Sequence, residues 1–153
     1  MSTFLLILHS LVGVALLGAI THQVLALLPH RTVRTGSFVD RYTSVNRKVF
    51  TGAIVCFYIA QVALGAIIYP TYRLQVRIPF EEMSLGWAVG LFELKEHYAA
   101  IGLGLLPLYF AAWRTDSTDA DLRDRSAVTF LIAFIVWWDF IIGHVLNNIR
   151  GFA

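Results

Sequence analysis

The chain has 153 residues, 58% of them hydrophobic and only 14% charged, with a formal net charge of +2 and a mean hydropathy of +0.68. A typical soluble domain is roughly 45–50% apolar and about 25% charged, so this composition excludes an ordinary soluble globular protein. The few basic residues form no stripe for nucleic acid.

Four apolar stretches, each close to the ~20 residues that cross a bilayer, follow one another along the chain. The first is expected from Phe4 to Leu28, stopped by Pro29-His30 and a basic loop. Met1-Ser-Thr lacks the positive region of a signal peptide, and the run behind it is too long for one, so it reads as a membrane span. The second span is expected from Val49 to Tyr69, ending before Pro70. The segment Pro70 to Gly90 is too polar to cross, and Phe80 to Trp87 reads as a short interfacial helix. The third span is expected from Leu91 to Trp113, followed by an acid-rich loop from Arg114 to Arg125. The fourth is expected from Ser126 to Ile149. The lone cysteine, Cys56, falls in the second run and reads as a small buried apolar residue.

The fold class implied is all-α: a polytopic membrane protein, one domain over residues 1–153, forming an up-down-up-down four-helix bundle. Loops one and three carry Arg31, Arg34, Arg41, Arg47, Lys48, Arg114, Arg123 and Arg125, against Arg73, Arg77, Lys95 and Arg150 on the other side. That imbalance places both termini outside, in the periplasm of a bacterial inner membrane, and loops one and three in the cytoplasm. Glycines such as Gly13, Gly65, Gly102 and Gly104 let the helices approach one another closely.

The chemistry-bearing stretch is Leu91-Phe-Glu-Leu-Lys-Glu-His-Tyr98, where Glu93 and His97 lie four apart on one helix face. His9, His97 and His144 each fall about five residues from the outer end of a span, roughly 8 Å deep at 1.5 Å per residue. Asp139, in Trp137-Trp-Asp-Phe-Ile-Ile-Gly-His144, is costly at membrane depth and must face the interior. Neutral imidazoles bind haem iron, copper or zinc. In an up-down bundle helices one and three are diagonal, roughly 12–14 Å apart if neighbours are about 8–10 Å apart. That space suits a haem b held by His9 and His97, with His144 as a third partner and Arg73 and Arg77 meeting propionates.

On architecture and histidine placement, the chain resembles the four-helix transmembrane b-type cytochromes of the cytochrome b561-like group. The resemblance implies haem-based, quinone-linked electron transfer. It departs from that group's two-haem pattern, because His9 and His22 are thirteen residues apart and so turned about 140° from each other. One haem near the outer face is the expectation, serving an electron-transfer or anchor subunit. Two alternatives stand beside it. One is a non-haem copper, zinc or iron site built from His9, Glu93, His97, Asp139 and His144. The other is a non-catalytic accessory subunit that packs with other membrane subunits or in a homo-oligomer. Expected partners are membrane lipid, a quinone or a periplasmic electron carrier. Thr21-His22-Gln23 reads as a polar packing cluster in the inner half.

Overall fold

A computed structural model describes residues 3–27, 36–38, 41, 47–114 and 119–152. Four long helices dominate: α1 (Thr3–Leu27), α2 (Arg47–Tyr72), α4 (Gly86–Arg114) and α5 (Asp119–Phe152). A short α3 (Ile78–Glu82) follows α2 through a π-helical turn at Arg73–Arg77. Helix α1 packs on α2 and α5, and α4 packs on the same two, so the four close a ring. Neighbours run antiparallel: Gln23 meets Thr51 across α1 and α2, whereas His9 meets Gln61. By length and composition, three segments are apolar enough to cross a membrane: Thr3–Leu27, Val49–Glu82 and Leu122–Ile149. Helix α4, which carries Lys95-Glu-His97 near its start, is not among them.

Three expectations need correction. Helix α2 does not stop before Pro70; it carries that proline internally and continues, through the π turn, to Glu82. The interfacial helix expected over 80–87 is instead a sharp reversal. Ser84 adopts a left-handed conformation (φ 60°), Leu85 N–H donates to the Phe80 carbonyl at 2.8 Å, and Ser84 N–H donates to that of Glu81 at 3.1 Å. That pair of bonds is a Schellman end, which turns the chain straight into α4. The acid-rich loop is largely helix, since α5 begins at Asp119. Most of the basic loop between α1 and α2, including His30, Arg31 and Arg34, lies outside the described residues.

The interior has two apolar cores. The inner one joins all four long helices through Leu16, Ile20, Ile54, Tyr58, Leu106, Tyr109, Trp113, Ile132 and Val136. Hydrogen bonds cross-link it: Gln23 Nε2 donates to Thr51 Oγ1 and Tyr109 Oη, and Trp113 Nε1 donates to Thr129 Oγ1 at 3.0 Å. Trp113 is thus a buried packing residue. The polar stretch at residues 21–23 joins this core, with His22 stacked on Phe50. The outer core gathers Val76, Phe80, Ala88, Val89, Ile142 and Leu146 from the helical extension, α4 and α5. Cys56 is exposed on α2 and does not belong to either core.

Gly102 allows the closest helix contact. A Cβ there would overlap the Tyr58 hydroxyl and crowd Ile135, while Tyr58 Oη donates to the Ala99 carbonyl at 3.0 Å. Gly102→Ala is expected to destabilise the bundle by about 1–3 kcal/mol, measured by unfolding in detergent. Gly104→Ala, with nothing within 4 Å of the added atom, is expected to stay within about 0.5 kcal/mol of the parent.

Candidate functional site

Between the two cores lies a polar layer to which every long helix contributes. His9 comes from α1, Gln61 from α2, Lys95 and Glu96 from α4, and Asp139 from α5. Helix α1 places His9 six residues beyond Thr3, about 9 Å along the axis at 1.5 Å per residue.

The local bonding sets proton positions. Gln61 Nε2 donates to His9 Nε2 at 3.1 Å, so the neutral ring carries its proton on Nδ1. That Nδ1 is buried and has no hydrogen-bond partner, as are Gln61 Oε1 and Asp139 Oδ1. Gly13 and Gly65 make room for this pair: a Cβ at Gly13 would sit 3.1 Å from Gln61 Nε2, and one at Gly65 would sit 3.6 Å from His9 Cε1. Lys95 Nζ donates to Glu96 Oε1 at 3.1 Å and lies over the Phe92 ring at 5.2 Å. Both Lys95 and Glu96 are within electrostatic reach of His9 and Asp139, and Asp139 is within reach of Tyr58. The Lys95 side chain is 17% exposed and that of Glu96 41%, so the layer meets the surface at Glu96. Buried orphan donors and acceptors cost about 1–3 kcal/mol each, and ionisable groups inside a membrane bundle mark proton or ion chemistry.

Of the residues singled out in the sequence, the structure brings His9 and Asp139 into one layer. His97 and His144 are exposed. His97 Nδ1 donates to the Glu93 carbonyl of its own helix at 2.6 Å. The Glu93 carboxylate turns to Arg77, with Oε1 3.4 Å from Nη1, and Arg77 Nε donates to Glu81 at 2.7 Å. Arg73 is exposed, its guanidinium 6.0 Å from the Tyr69 ring centre.

The three-histidine convergence expected from depth alone is therefore not formed. Equal height does not fix direction around a helix, and His97 and His144 fall on outward faces. A bis-histidine haem inside one copy needs two inward imidazoles, and of the three outer-side rings only His9 turns inward. Among the described residues, no three His, Cys, Asp or Glu side chains are grouped to hold a metal ion. Sequence reasoning passed over Gln61, Lys95 and Glu96 as site residues.

Compared with family models, with curated proteins and with solved structures, the chain matches none.

Replacing Asp139 by leucine removes an orphaned polar atom from between two apolar cores. Asp139→Leu is expected to be at least as stable as the parent, with a gain on the order of 1 kcal/mol, in detergent unfolding. A clear loss of stability would show that the carboxyl is a structural bond, contrary to this account.

Proposed function

We propose that this chain is a four-span integral membrane protein, working as a subunit of a membrane assembly, whose polar layer takes up and releases protons. The observation that carries the reading is the layer itself: ionisable groups from three helices and an amide from the fourth, enclosed between two apolar cores. Such groups are expensive at membrane depth and persist where they act on protons or ions. Every member except Gln61 carries an ionisable group.

Helix α4 supports a fourth span. Its 29 residues extend about 44 Å at 1.5 Å each, more than the ~30 Å of hydrocarbon, and it lies between α2 and α5. The excess of basic residues in loops one and three favours an orientation with both termini outside, which sets the layer in the outer half. Electron transfer in the surrounding assembly is chemistry that consumes or releases protons, and a layer of this composition would serve it. A haem b within one copy finds a single inward ring, His9, so the reading rests on proton exchange.

A hydrophobic carbodiimide tests it, because it modifies carboxyls that take up a proton in apolar surroundings. Treatment of the purified protein in lipid with dicyclohexylcarbodiimide is expected to modify Asp139, detected by peptide mass. The modification should disappear in Asp139→Asn and weaken as the pH is raised. Modification confined to Asp121 and Asp124 near the start of α5, with Asp139 untouched throughout the pH range, would refute the reading.

A further inference from the structure

The outward histidine of α4 carries a second inference, independent of the polar layer. An imidazole on the outer surface of a bundle at membrane depth is unusual, because ionisable groups there normally face protein or water. The ring of His97 is also held in a defined way. A carbonyl oxygen can only accept, so the 2.6 Å contact with Glu93 O fixes the His97 proton on Nδ1. Nε2 is left with its lone pair. A ring N–H donated to a backbone carbonyl, with the other nitrogen open, is the arrangement that prepares a histidine to bind a metal. Glu93 stands one turn away on the same face, with a side chain 53% exposed. One of its oxygens faces Arg77, and a carboxylate offers two.

The pair Glu93 and His97 is half a site. Two ligands do not hold a divalent transition metal, but two pairs related by a twofold axis supply two nitrogens and two oxygens, a tetrahedral set suited to zinc. The surface around the pair permits a second helix to come close. Ala100 and Gly104 continue the exposed face, and a Cβ at Gly90 or Gly104 would meet nothing within 4 Å. We propose that α4 faces α4 of a second copy of this chain, and that Glu93 and His97 of each copy together bind one divalent transition-metal ion. Each copy brings a carboxylate to the imidazole of the other, which makes the face complementary to itself and explains the outward ring.

The test uses the full chain purified in detergent and stripped with a chelator, with zinc alone as the probe. Bound metal is measured by elemental analysis, and mass by light scattering. One zinc per two chains is expected, with conversion of monomer to dimer on zinc addition and reversal by chelator. His97→Ala should abolish both, and Glu93→Gln should weaken zinc retention at least about tenfold. His144→Ala, another exposed outer-side histidine, should change neither. Helical circular dichroism confirms that each variant is folded. A dimer indifferent to chelator and to His97→Ala, zinc retained equally by His97→Ala, or no zinc bound by the parent chain would each overturn the proposal. All of these outcomes are separate from carbodiimide modification of Asp139, so either reading can fail alone.

Discussion

The rest of the structure is arranged around one constraint: polar side chains inside a membrane bundle must find one another or a proton. The helices meet it in two ways at two heights. Near the inner end, Gln23, Thr51 and Tyr109 bond across three helices, and Trp113 reaches Thr129 on the fourth. Those contacts are direct and lie within an apolar core. Toward the other end, His9 Nδ1, Gln61 Oε1 and Asp139 Oδ1 are buried and without a hydrogen bond. The layer around His9 differs from those contacts in holding two carboxyls, Glu96 and Asp139, and an amine, Lys95.

Direct contacts between side chains fix register and rigidity. A buried polar atom without a hydrogen bond costs stability. The two apolar cores give the polar layer its environment. The inner core, with Ile20, Ile54, Tyr109 and Ile132 fully buried, separates it from the opposite face. The partly exposed Glu96 connects it to the near one.

Much of the architecture was legible in the sequence. Long apolar runs announced four helices, and their antiparallel order followed from the loops between them. Boundaries were harder: Pro70 suggested a stop, but a π turn carried the helix on to Glu82, and the reversal came at Ser84 without a glycine. The depth of His9 and Asp139 was readable, and both belong to the layer. Direction around the helix was compared within single helices, for His9 with His22 and Glu93 with His97, but not against the buried stripe of each helix. His9 lies seven residues from the buried Leu16, and Lys95 lies seven from both Ala88 and Gly102, spacings that return to nearly the same face. Lys95 therefore belonged to the interior stripe, whereas His97 shares the exposed face of Ile101 and Gly104. In the sequence Lys95 was counted only among the basic residues of one side, and its phase is what turns it inward.

Infrared difference spectroscopy of the protein in lipid, recorded between acidic and alkaline pH, tests proton exchange in the layer most directly. The account predicts a carboxylic-acid carbonyl band that appears and disappears with pH, is absent in Asp139→Asn, and persists in His97→Ala. A band unchanged by Asp139→Asn, or no titrating carboxyl band beyond those of solvent-exposed acids, would contradict it.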